Sequence, residues 1–210
     1  TMKKSLLLLI LLCSFSWLKA DEGMWIPLLL KYNEAEMQQL GFKLTAEDVY
    51  SVNKHSMKDA IVIFGGGCTG ELISENGLLL TNHHCGYSYI QKLSTLEKNY
   101  LHDGFWAQSA QEELPVAGLT VTFLIRMEDV TQEVLEGVTT KTSESERENI
   151  ISRNISILKA KAVEGTHYQA IIKPFFYGNQ YFLFVNEIFK DVRLVGTPPE
   201  SIGKFGGDTD

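Results

Sequence analysis

The stretch from Gly65 to Tyr87, GGGCTGELISENGLLLTNHHCGY, constrains the fold more than any other part of the chain. Asn76-Gly77 between two apolar runs is the strongest short-range signal of a β-hairpin, because both residues accept positive φ. The spacing predicts a first strand at Gly70–Ser74, a turn at Glu75–Gly77 and a second strand at Leu78–Thr81. Asn82, His83, His84 and Cys85 follow where the second strand must end, and Cys68 stands before the first. A histidine at a strand end, beside a cysteine that can be bonded back across a hairpin, suits a general base. It has a fixed position and one ring nitrogen to turn toward a nucleophile. His84 adjoins Cys85 and is the more constrained of the pair; His83 is expected to pack or bond locally. A purely structural histidine in a buried turn is the competing reading.

Two other chemistries are weighed and set aside. His83, His84 and Cys85 are all metal-ligand types, but three consecutive residues rarely converge on one ion, and no Cys-x-x-Cys or His-x-x-x-His spacing supports a site. No metal is expected. Gly65-Gly66-Gly67 has no lysine at P-loop spacing and opens no Gly-x-Gly-x-x-Gly helix, so it reads as a tight turn. No cofactor is expected either.

Residues 1–20 read as a secretory signal. Lys3 and Lys4 precede an apolar core, Ser5–Phe15, too short to span a membrane, and Ala20 is a small residue suited to cleavage. Removing Lys3, Lys4 and Lys19 from the 19 basic residues leaves 16 against 26 acidic ones, a formal charge of −10. That argues against nucleic acid and against an anionic membrane surface as partners, and no membrane span is expected after residue 20. Export leaves Cys68 and Cys85 as the two mature cysteines in an oxidising setting. A disulfide between them is expected, worth on the order of 3 kcal/mol in the chain-entropy model.

Along the rest of the chain, Asp21–Gly41 reads as helix, with Pro27 in a first turn and Gly41 as a stop. Thr45 and Asp48 suggest a capping box for a short second helix. Asp59–Phe64 reads as a strand that can be buried on both faces. Tyr87–Trp106 is of mixed character with short helical turns. Strands are expected at Leu119–Arg126, Gln169–Pro174, Gln180–Val185 and Val192–Val195. Val130–Gly137 is compatible with a short helix, Ser143–Glu164 reads as an exposed helix, and Tyr177–Asn179 as a turn. Short strands with turn signals and no composition break suggest one antiparallel β-barrel with flanking helices. Asp208 and Asp210, in the glycine-rich loop Gly206-Gly207-Asp208-Thr209-Asp210, follow His84 in the order of a His, Asp, Ser triad; Asx-type turn bonds are the alternative. The loop has no capping element after it, so the chain reads as part of a longer protein.

The hairpin resembles the histidine region of chymotrypsin-like proteases, where Thr-x-x-His ends a strand and Cys follows. A longer match is more specific. Asp21–Trp25, Leu40–Phe42, Ile63–Gly70, Thr81–Tyr87, Glu112–Pro115, Phe189–Arg193 and Gly203–Asp210 resemble the N-terminal part of the bacterial S46 dipeptidyl-peptidases, with GGGCTG and TNHHCGY the most specific pair. The resemblance implies an exported serine exopeptidase, periplasmic or at the cell surface, that releases dipeptides from free N-termini of peptides and works as a homodimer. It implies a mainly β, chymotrypsin-like double barrel, of which residues 21–210 hold most of the first barrel after a signal at 1–20. It maps the triad histidine onto His84. It places the triad Asp and Ser beyond residue 210, so that Gly206, Gly207, Asp208 and Asp210 become a loop leading toward the substrate's amino end. The chain on its own is then expected to be inactive. Two alternatives remain: a trypsin-like or HtrA-like endopeptidase, and an inactive secreted barrel used for binding.

Overall fold

The computed structural model describes Trp25 to Gly203, and these residues fall into two compact units divided after Tyr50. The expected signal at residues 1–20 and the loop residues Gly206, Gly207, Asp208 and Asp210 lie outside the described part.

The first unit is helical. Pro27 opens a 3-10 turn, Pro27–Leu29, where its missing N–H costs nothing. Helix α1, Leu30–Gln39, follows. Gly41 stops it at φ +100°. Its N–H donates to Gln38 O, and the Phe42 N–H donates to Met37 O, both at 3.0 Å, which is the Schellman closure. Helix α2, Ala46–Val49, starts with the expected capping box: Asp48 N–H donates to the Thr45 hydroxyl at 3.1 Å and Thr45 N–H donates to Asp48 Oδ2 at 2.8 Å. Glu34 accepts the Ala46 N–H at 2.9 Å and so ties α2 to α1.

The second unit is built on a six-stranded antiparallel sheet. A 3-10 turn, Met57–Ala60, leads into β1, Ile61–Phe64. Then come β2, Cys68–Leu72, and β3, Leu79–Leu80. Helix α3, His83–Leu93, and helix α4, Tyr100–Asp103, follow. Two-residue strands β4, Phe105–Trp106, and β5, Leu114–Pro115, lead to the long β6, Val121–Asp129. Helices α5, Thr131–Val134, and α6, Glu144–Ala162, precede β7, Gln169–Phe175, and β8, Gln180–Phe189. The last elements are β9, Arg193–Leu194, β10, Gly196–Thr197, and helix α7, Glu200–Gly203. The sheet order is β3-β2-β1-β6-β8-β7, with β10-β4 and β5-β9 as separate pairs.

The register puts Val62, Phe64, Val121, Leu183, Val185, Ala170 and Ile172 on one face. Two cores form there. One packs Val185, Leu183 and Tyr181 with Val130 and Val134 around α5 and with Ile151 of α6; the other packs Val62, Phe64 and Val121 with Val116 and Leu119 near the hairpin. A bulge between Leu124 and Arg126 breaks the β6–β8 register and bends the strand.

Several expectations change here. The β1 strand is not buried on both faces: Val62 and Phe64 are buried while Ile61 and Ile63 are 48% and 50% exposed. The apolar run hides a plain alternation, because the face opposite the cores is also apolar. The expected strand Val192–Val195 shortens to β9, Arg193–Leu194, and β10 follows it as a separate strand with a different partner. The architecture is mixed helix and antiparallel sheet rather than mainly β: the helix expected over 143–164 forms as the 19-residue α6, and α3 claims a stretch that sequence patterning reads as a strand end and short helical turns. Barrel closure is not seen among the described residues, since β3 and β7 end a linear strand order.

Candidate active site

The hairpin is the platform. Gly70 allows β2 and β3 to approach closely; a Cβ there would lie 2.7 Å from Leu79 Cδ2 and 3.0 Å from Leu80 O. The loop between them closes with Ile73 N–H donating to Leu78 O at 2.9 Å, and Gly77 takes φ +83°. Asn76 does not share the positive φ, so the turn is not the mirror-image two-residue type that Asn-Gly suggests. In the Gly65-Gly66-Gly67 turn only Gly65 serves packing: a Cβ there would lie 2.9 Å from the Tyr89 hydroxyl oxygen, while one on Gly66 or Gly67 would meet nothing within 4 Å.

After β3 the chain is tied back to β2 by the Thr81 hydroxyl, which donates to Thr69 O at 2.7 Å. Asn82 is extended, and Cys85 and Gly86 donate their N–H groups to Asn82 O at 3.0 and 3.4 Å. The two histidines therefore stand in the first turn of α3, not at a bare strand end. Cys68 and Cys85 are joined by a disulfide with Cα atoms 6.1 Å apart, 17 residues apart in sequence. This bond fastens the first turn of α3 to the start of β2. His84 is exposed beside it, while His83 is half-buried.

His83 turns inward. Its ring meets Tyr87, one helical turn on, edge to face with centroids 5.8 Å apart. It also lies against Gly203, where a Cβ would come within 2.6 Å of His83 Cγ and Nδ1. The sulfur atoms of Cys68 and Cys85 and a ring nitrogen of His84 lie within 4.8 Å of one another. The sulfurs are bonded to each other, so neither is the thiolate that a soft metal would need.

Beside α3, the segment Gly196–Gly203 is held by close glycine contacts. Trp106 covers Gly196, and Gly104, at φ +80°, lies against Pro199 and the Thr197 carbonyl. His102 on α4 donates its Nδ1–H to Asp103 Oδ1 at 2.8 Å. That carboxylate raises the His102 pKa, with a smaller contribution from Glu200 of α7. Sequence reasoning chose His84, Cys68 and Cys85 here but gave no role to Tyr87 or Gly203. The signal for Tyr87 was its i,i+4 spacing from His83; none in the sequence links Gly203 to His83.

A sequence profile of the peptidase S46 family matches residues 20–210, and the chain belongs to that family. It is 51% identical over 196 residues to dipeptidyl-peptidase 7 of Capnocytophaga gingivalis, covering 93% of this chain and 27% of the relative. It is 56% identical over 189 residues to an Asp/Glu-specific dipeptidyl-peptidase of the same organism, covering 90% of this chain and 26% of the relative. The crystal structure of Porphyromonas endodontalis DPP11 in complex with substrate matches with a TM-score of 0.72 at 46% identity, covering 90% of this chain and 28% of that one. The chain thus spans about a quarter of the length of the curated relatives it matches.

Proposed function

We propose that this chain is the N-terminal part of an exported serine exopeptidase that releases dipeptides from peptides with free N-termini. His84 is its general base. The observation that carries this reading is the placement of His84: exposed, in the first turn of α3, one residue before a cysteine bonded to Cys68 across the hairpin. A base so fixed does not have to be ordered when substrate arrives, which lowers the cost of reaching the transition state. In the proposed step, one His84 ring nitrogen accepts the hydroxyl proton of a serine while that oxygen attacks the scissile carbonyl. An aspartate fixes the ring from its other nitrogen, and the proton then passes to the leaving amine. The serine and aspartate belong to the longer protein, in keeping with relatives of about four times the length.

The same reading takes the sheet as most of the first barrel of a chymotrypsin-like pair, and the bulged β6 supports it, because bulges bend strands at barrel corners. The disulfide supports an oxidising compartment, the periplasm or the cell surface. The working enzyme is a homodimer.

The test uses the full-length enzyme. His84→Ala lowers kcat for dipeptide release by at least about 10^3-fold, the scale of losing a triad histidine. His83→Ala stays within about tenfold of the parent, since the disulfide still holds the helix start. Comparable losses in folded samples of the two variants would overturn the assignment of His84.

A further inference from the structure

We propose that Gly203 is a positioning residue for His84, acting through the ring of His83; this rests on His84 being the base. The case begins with a glycine whose backbone does not require glycine. Among the described residues nine glycines have positive φ, and Gly203 is not one of them. What demands the missing side chain is contact. A Cβ on Gly203 would lie 2.6 Å from His83 Cγ, 2.6 Å from Nδ1 and 2.8 Å from Cδ2. These distances are far inside van der Waals contact.

The atoms involved decide what would move. His83 Cγ is one bond from its own Cβ, so the ring cannot swing clear as the tip of a long side chain could. It must change rotamer or carry the backbone with it. The other side of the contact is also held. Ile202 and Gly203 both donate their N–H groups to Pro199 O, at 2.9 and 3.1 Å. Pro199 in turn packs on Gly104, where a Cβ would lie 2.9 Å from Pro199 Cδ. The turn that presents Gly203 is therefore backed by α4, and the yielding partner is the first turn of α3. That turn carries His84 one residue along, and Cys85 already anchors its far side to β2. The ring of His83 works as a spacer of fixed thickness between α7 and the helix start, and the Tyr87 ring, 5.8 Å away, limits its freedom.

The experiment measures kcat and KM per folded active site in the full-length enzyme for Gly203→Ala, His83→Ala, the double variant, Tyr87→Ala and His84→Ala. Gly203→Ala lowers kcat on the order of 10^2-fold with KM within about twofold, the cost of moving a base by about an ångström. Adding His83→Ala makes room for the new methyl, so the double variant recovers to the level of His83→Ala alone. Tyr87→Ala, which adds space and no clash, lowers kcat several-fold at unchanged KM and reports on the same clamp should Gly203→Ala fold poorly. Three results overturn the proposal: an unchanged kcat in Gly203→Ala, a loss that His83→Ala does not relieve, or a Tyr87→Ala enzyme of parental kcat. If His84→Ala remains active, the base assignment fails instead, and the two failures are told apart in one set of assays.

Discussion

Asp59 shows how one side chain secures the entry to the sheet. Its carboxylate accepts the Ser56 N–H at 3.1 Å, pairs with Lys58 and lies 3.5 Å from His55 Nδ1. Burial pushes its pKa up, but the hydrogen bonds from Lys58 and Ser56, the Lys58 charge and His55 outweigh it and hold the carboxyl below its ordinary value of 3.8. A carboxyl depressed on folding adds stability that is complete above the ordinary value and is lost as pH falls through the folded value. Asp59→Asn should therefore unfold more easily than the parent at neutral pH, with the gap closing as pH drops below 3.8. Thermal unfolding across the acid range checks this, and a gap independent of pH would show that the ion pair contributes nothing. Asp59 was legible only in part. The sequence placed it at the start of the strand, whereas it closes the turn before β1, because Ser56 and Asp59 satisfy backbone donors that a strand start would leave to a neighbour.

At the scale of elements, what was legible was local. The hairpin, the Gly41 stop, the Thr45–Asp48 cap and the Ser143-capped α6 follow from residues within a few positions of one another. The start of α3 was missed because His83 and His84 carry little helix preference and the disulfide, a tertiary link, stabilises the turn they occupy. The β7–β8 turn falls where the sequence places it, but its backbone is not the one the residues suggest. Gly178 takes the positive φ that suits it, +82°, yet Phe176 and Tyr177 also adopt φ +48° and +59° while Asn179 stays right-handed at −82°. The Phe175 ring packs against Phe182 with centroids 5.2 Å apart, and that packing fixes where the turn must fall. Tyr177 is fully exposed, so it gives up no buried contact to relieve the strain. Tyr177→Asn should stabilise the second unit by about 0.5–1 kcal/mol, read from denaturant midpoints. The disulfide gives a second expectation. Cys68 and Cys85 should resist alkylation until a reductant is added, and reduction should cost on the order of 3 kcal/mol of unfolding free energy. Free alkylation of both thiols in the native protein would contradict the bond.

For the whole molecule, family membership was legible because GGGCTG and TNHHCGY join a turn, a disulfide and a histidine in one local unit. Barrel closure was not, because strand patterning states which face is buried and not which edge meets which. The reaction class is best separated from its nearest rival by what the substrate must present. An enzyme that releases dipeptides counts from the peptide's α-ammonium, and so must bind that charge; a trypsin-like endopeptidase has no such need. The acidic balance of residues 21–210, 16 basic against 26 acidic, is compatible with attracting a cationic peptide end. Acetylating the N-terminus removes the charge and leaves its binding partner unpaired, at a cost of about 2–5 kcal/mol if that partner is desolvated. The full-length enzyme should then cleave a free peptide at least about 30-fold better in kcat/KM than its N-acetylated form, the lower end of that range. The products should be dipeptides from the amino end, and lengthening the peptide at its carboxyl end should leave the cut in place. Equal cleavage of free and acetylated peptides at internal bonds would replace the exopeptidase reading with the endopeptidase one, without bearing on the role proposed for His84.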